Sequence, residues 1–178
     1  MVADQRGQQM SVLFPANPSR LDPYKSYAFL VFLGESTTPA AAVSSVGPVR
    51  RYSDVVEYTS GGDAMTRKGL GRTHYDPVML TRGVTFDAEF EDWANAAQVL
   101  TGGNPSTSLA SLRKTMSIVL LNEDRQAVRR YLFYRCWVSE YQALPFLDAG
   151  AATTAFEHIK VENEGWERDL TLAEPSEQ

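Results

Sequence analysis

Helical periodicity is convincing at one place in this chain. Phe86, Phe90, Trp93, Ala97 and Leu100 fall four, three, four and three residues apart, which sets them on one stripe of a helix. Glu91, Asp92, Asn95 and Gln98 take the opposite side. Thr85 or Asp87 is placed to cap the first turn and Gly102-Gly103 to end the last, which predicts a helix at about Asp87 to Leu100. Glu89, Glu91 and Asp92 cluster near the start, where the helix dipole favours carboxylates and water can reach them. One such helix covers a sheet and cannot build a bundle, so the rest of the fold must come from strands.

The remaining apolar runs fit that demand. Tyr27 to Leu33 is aromatic and branched, ends at Gly34, and reads as a strand buried on both faces. Val43 to Val46 and Val49 to Tyr58 make a weaker strand region, and Val78 to Phe86 leads into the helix. Thr115 to Leu121 and Val128 to Val138 predict a hairpin turning through Asn122-Glu123-Asp124-Arg125. Thr154 to Glu162 alternates, with Ala155, Glu157, Ile159 and Val161 on one face, and Trp166 to Leu172 adds a short strand. The expected fold is mainly β, an antiparallel barrel or sandwich carrying one helix.

Between the strand ending at Tyr58 and the strand opening near Val78 lies a glycine-rich stretch, expected as a long loop at about Thr59 to Tyr75. Most connections in compact domains are about 4–6 residues, so a loop this long is usually functional. Gly61, Gly62, Gly69 and Gly71 permit close backbone approach, while Asp63, Arg67, Lys68 and Arg72 can pair with another chain. The spacing Gly69-Leu70-Gly71 precedes a strand rather than a helix, so the helix-dipole rationale for phosphate binding fails.

Chemistry is sparse elsewhere. The two histidines, His74 and His158, stand in no ligand cluster, whereas zinc sites usually gather three or four ligands. The single cysteine, Cys136, sits in an apolar run and reads as a buried, inert thiol. Neither a nucleophile elbow nor a P-loop is present. A net charge of −5 offers no general basic surface for gripping nucleic acid. No stretch approaches the roughly 18 apolar residues of a membrane helix, and the amino terminus opens no signal peptide. No enzyme activity, cofactor or metal is expected, and the chain reads as soluble and made in the cytoplasm of the cell that expresses it.

The order of motifs resembles the tail-tube protein family of contractile bacteriophages and the related contractile injection systems. Val56-Glu57-Tyr58 precedes Gly61-Gly62; Leu80-Thr81-Arg82-Gly83-Val84 and the helix around Trp93 follow. Arg113-Lys114-Thr115-Met116 leads basically into a hairpin, and Leu147-Asp148-Ala149 precedes Glu157-His158-Ile159-Lys160-Val161 and Glu164-Gly165-Trp166. The resemblance implies a barrel-like subunit over residues 22–172; residues 1–21, without sustained periodicity, read as an extended arm and 173–178 as a flexible tail.

It further implies homo-hexameric rings stacked into a tube inside a sheath, with baseplate and tail-terminator proteins as partners and no membrane binding. DNA or effector cargo would pass through the lumen without sequence-specific contacts, in a virion tail or injection particle assembled in the host bacterial cytoplasm. In that family the long loop reaches the adjacent ring, which here maps onto Thr59 to Tyr75. A monomeric small-molecule-binding or enzymatic β-barrel of lipocalin or jelly-roll type is the alternative.

Overall fold

The computed structural model describes residues 13–177 apart from 41, 60, 63–64 and 102–111; the side chains of 98–101 also lie outside the description. Among the described residues nine strands and one helix follow in order: β1 (Phe29–Leu33), β2 (Val43–Val46), β3 (Arg51–Tyr58), β4 (Arg67–Tyr75), β5 (Val78–Gly83), α1 (Glu89–Thr101), β6 (Lys114–Leu121), β7 (Ala127–Gln142), β8 (Phe156–Glu162) and β9 (Trp166–Arg168). Six strands run β1-β6-β7-β8-β5-β2, all antiparallel, with β9 added to β7.

Strand β7 organises the sheet because its 16 residues serve two neighbourhoods. Its first part pairs with β6 along one edge and β9 along the other; its second part pairs with β8. The change falls at Tyr134-Arg135, which bulge out of the β6 register, with Arg135 at φ 54°. There the Tyr134 amide donates to the Gly165 carbonyl and the Glu164 amide to the Tyr134 carbonyl, so the extra residues remain bonded.

Alternation then builds the core. Val31, Met116, Phe133, Cys136, Val138, Val78, Leu80, Ile159 and Val161 project from the sheet onto one side, where α1 covers them with Phe90, Trp93 and Ala94. The Trp93 indole N–H donates to the Leu112 carbonyl at 3.3 Å, so the largest core side chain keeps its polar atom satisfied. The other face of β1 is only half-buried, so the two-sided burial expected for this strand is not met within one subunit.

Asp87 caps α1: its carboxylate accepts the Glu89 amide at 2.8 Å, and Thr85 Oγ1 accepts the Asp87 amide at 3.2 Å. The helix therefore begins two residues later than expected, and Phe86 falls outside it. Far from joining the core stripe, Phe86 is fully exposed. Glu91, Asp92 and Asn95 face water as expected, while the Gly102-Gly103 stop lies outside the described residues.

The sheet is not closed. β1 and β2 end the strand order, each paired with one strand only, although the Ala40 amide reaches the Val31 carbonyl on the free side of β1. Residues 13–24 and the chain end meet over the β6–β7 turn. Glu174 accepts from the Ala16 amide and the Asn17 side chain, both at 2.9 Å, and the Glu177 amide donates to Asn17 Oδ1. Arg20 pairs with Glu123 and Glu177 and stacks over the Tyr24 ring.

Candidate functional site

The stretch expected as one long loop is a loop only at its start. From Arg67 it becomes β4, which pairs with β3 in a two-stranded ribbon separate from the main sheet. Strand register runs from Arg51 opposite Tyr75 to Tyr58 opposite Arg67, with a bulge between Ser53 and Val55. Gly71 sits against that bulge: a Cβ there would lie 2.8 Å from the Asp54 carbonyl oxygen and Cβ, so only glycine fits without moving the backbone. At the tip Gly62 has φ 93°, a left-handed conformation that glycine adopts freely.

The ribbon is anchored at its base. Arg50 pairs with Asp76 at 3.2 Å, the Arg51 guanidinium lies over the Trp166 ring, and Tyr75 meets Trp166 edge-on. Further out, Ser53 and Thr73 share a hydrogen bond, His74 stacks on Tyr52 and bonds Asp54 at 2.9 Å, and Lys68 pairs with Glu57 at 3.4 Å.

Its apolar side chains are largely exposed. Val55 and Val56 are neighbours pointing to opposite faces, yet they are 62% and 51% exposed. Leu70 is 84% exposed, and Tyr58 and Met65 are also open. An isolated two-stranded hairpin is marginally stable in water, so a ribbon bare on both faces is built to be covered.

The expected contact residues divide accordingly. Gly61 and Gly62 form the turn; Arg67, Lys68, Gly69, Gly71 and Arg72 lie on β4; Asp63 is outside the described residues. Lys68 already has a partner within the ribbon, which leaves it less to offer another chain. Sequence reasoning passed over Val55, Val56, Tyr58 and Leu70, although two adjacent valines in a strand beside a polar loop signal apolar groups on both faces.

Among the described residues no three His, Cys, Asp or Glu side chains gather as a metal set, and no helix is long and apolar enough to cross a membrane. His158 faces Glu140 at 3.6 Å and His74 faces Asp54, a structural pairing in each case. Burial pushes the Cys136 thiol up to about 12, far from a reactive thiolate.

The other charged centre is structural, and it escaped the sequence reading. Arg82 is fully buried in β5 and donates through Nε to Glu157 at 2.6 Å and through Nη1 to Asp87 at 3.1 Å, with Nη2 on the Asp87 carbonyl. It also lies over the Phe90 ring, and the Tyr141 hydroxyl donates to the second Glu157 oxygen at 2.9 Å. Burial works against the charge on Arg82, but its bonds to Glu157 and Asp87 outweigh that and raise its pKa. Asp87 is held below the usual carboxylate range by the Glu89 amide first and Arg82 second. The cluster ties the start of α1 to β5, β7 and β8.

Known proteins share this architecture. The chain superposes on a protein of the anti-feeding prophage baseplate with a TM-score of 0.67 and 18% identity, covering 84% of this chain and 97% of that one. A protein from the sheath–tube complex of an extracellular contractile injection system in the extended state gives 0.66 and 18%, covering 83% and 91%. Another from that system's sheath/tube terminator gives 0.68 and 18%, covering 84% and 98%. No curated protein sequence matches the chain. The sequence profile described as T4-like virus tail tube protein gp19 matches residues 25–167, from the segment before β1 to the second residue of β9. With the fold shared and the profile spanning every strand of the sheet, this chain belongs to the T4-like virus tail tube protein family.

Proposed function

We infer that this chain is the repeating subunit of a contractile tail or injection tube. It assembles as homo-hexameric rings that stack into a conduit, and the β3–β4 ribbon reaches the adjacent ring. DNA or effector cargo passes through the lumen; sheath, baseplate and terminator proteins surround the tube, in a virion tail or injection particle put together in the host bacterial cytoplasm. The subunit performs no catalysis. Its work is self-association.

The ribbon carries this reading. Val55, Val56 and Leu70 are more than half exposed on a two-stranded element that has no core of its own. Family membership and the fold shared with sheath–tube and baseplate proteins support the same conclusion. A lipocalin-like barrel needs an internal apolar chamber, whereas here Phe90, Trp93 and Phe133 fill the space under the sheet.

Negative-stain microscopy of the purified protein tests the reading. Wild type is expected to form rings or tubes as concentration rises. Leu70→Glu combined with Val55→Glu is expected to stay unassembled with unchanged circular dichroism. Normal tubes from that double variant would refute the role given to the ribbon.

A further inference from the structure

The two ends of β7 carry surfaces of opposite shape. At its start, between the amino-terminal segment and the β6–β7 turn, lies an open cavity of about 710 Å³, a size that suits an apolar ligand group. Leu13, Leu21, Leu120 and Leu172 line it, and Leu13 and Leu21 are 75% and 86% exposed although they belong to its wall. Arg129 and Arg168 stand at the same cavity, and neither has an ion-pair or hydrogen-bond partner for its guanidinium among the described residues.

At the far end, the loop from 143 to 155 projects Phe146, which is 93% exposed, beside Leu144 and Leu147. Asp148 follows directly and folds the loop back on itself: its carboxylate accepts the Gly150 amide at 2.9 Å and its carbonyl accepts the Ala151 amide at 3.1 Å. The apolar projection is thus held in shape, with one carboxylate next to it.

We propose that Phe146 and Leu147 of one subunit seat in the Leu21–Leu172 cavity of the next copy, with Asp148 turned towards Arg129 and Arg168. This contact presupposes the stacked rings proposed above and adds a second contact to that of the ribbon. A projection at one end and a recess at the other make a head-to-tail contact, which propagates instead of closing as a symmetric dimer. The charges orient it: two unpaired guanidiniums flank the recess and a carboxylate flanks the projection. Since β7 is 16 residues long, the two surfaces stand on the order of 50 Å apart at about 3.3 Å per residue, so no subunit can seat its own loop.

Disulfide trapping in the full-length protein tests this. Phe146→Cys protein is mixed with Leu21→Cys protein, assembled and oxidised with copper phenanthroline; the buried native Cys136 takes no part. A covalent dimer is expected in the mixture and absent from either variant alone. Tubes without that dimer overturn the proposal and leave stacking intact, and strong self-linking of Phe146→Cys overturns it by showing a symmetric contact. Wild type that forms no tubes under the same conditions removes the stacking reading and this contact with it. Asp148→Arg gives an independent arm: it is expected to raise the concentration needed for assembly about tenfold or more, and unchanged assembly overturns the proposal.

Discussion

Replacing Arg82 by Met isolates what the buried cluster contributes. Methionine keeps an unbranched apolar stem like that of arginine but removes every donor. Glu157, only 4% exposed, then loses its 2.6 Å partner and retains the Tyr141 hydroxyl alone. Removing one member of a buried ion pair typically costs about 3–5 kcal/mol because the other charge stays buried and uncompensated. Arg82 also holds Asp87 and lies 4.2 Å from the Phe90 ring centroid, so the upper end of that range is the expected outcome. At about 2–4 °C per kcal/mol for a domain of this size, Tm should fall by roughly 10–20 °C.

A second substitution separates charge from packing. In Arg82→Met with Glu157→Leu the stranded carboxylate is gone, and about half or more of the loss should return, as replacing a whole buried pair by apolar groups is often neutral. Urea denaturation of the dilute, unassembled subunit, followed by tryptophan fluorescence, gives both numbers. A loss below about 1 kcal/mol for the single variant, or a double variant no more stable than the single one, would refute the account of Arg82 as a clamp.

Glycines offer a paired test: Gly71→Ala is expected to distort the bulge at Asp54 and reduce tube formation in sedimentation assays, while Gly83→Ala, outside the ribbon and with open space for its Cβ, should assemble normally. The contact between the amino-terminal segment and the tail should depend on acid. Burial opposes ionisation of Glu174, but bonds from Ala16, Asn17 and Tyr24 outweigh it, and the Glu123 backbone amide and then Arg20 likewise lower the pKa of Glu123. Depressed carboxylates stabilise the native state fully above the unfolded value of about 4.3, and that contribution is lost as pH falls through the native value. The Asn17 side-chain amide signal in NMR should therefore stay constant above about pH 5 and shift as the solution is acidified past about 4; a signal invariant to below pH 3 would sink the idea. Cys136 should resist iodoacetamide at pH 8 in the native protein and react once urea unfolds it, because burial holds its pKa near about 12.

What was legible in the sequence was whatever periodicity encodes. The hairpin of β6 and β7, the alternation of β8 and the stripe through Phe90 and Trp93 all express a rule that acts within a few residues. Phe86 matched the stripe by spacing but lost its place to the Asp87 cap, since a capping contact decides where a helix starts and periodicity does not. Strand β4 was hidden for a different reason: Gly69 and Gly71 weaken any strand signal, and only pairing with β3 reveals that Gly71 serves a bulge. Arg82 carries no local signal of its burial, because that burial depends on Glu157, which is 75 residues away. The contact between the chain ends was equally invisible, joining Ala16 and Asn17 to Glu174 across a separation of more than 150 residues.

A mechanical consequence follows from the continuity of β7. Its backbone runs through both halves of the sheet, clasped by β6 on one edge and by β9 and then β8 on the other. No joint divides the subunit, so a thrust on the 143–155 loop travels to the amino-terminal segment along a covalent strut whose hydrogen bonds resist shear together. At the bulge of Tyr134-Arg135, where pairing passes from β6 to β8, the bonds to Gly165 and from Glu164 brace the strut. A body made this way moves as a rod: force applied at one end arrives at the other without being spent on internal rearrangement.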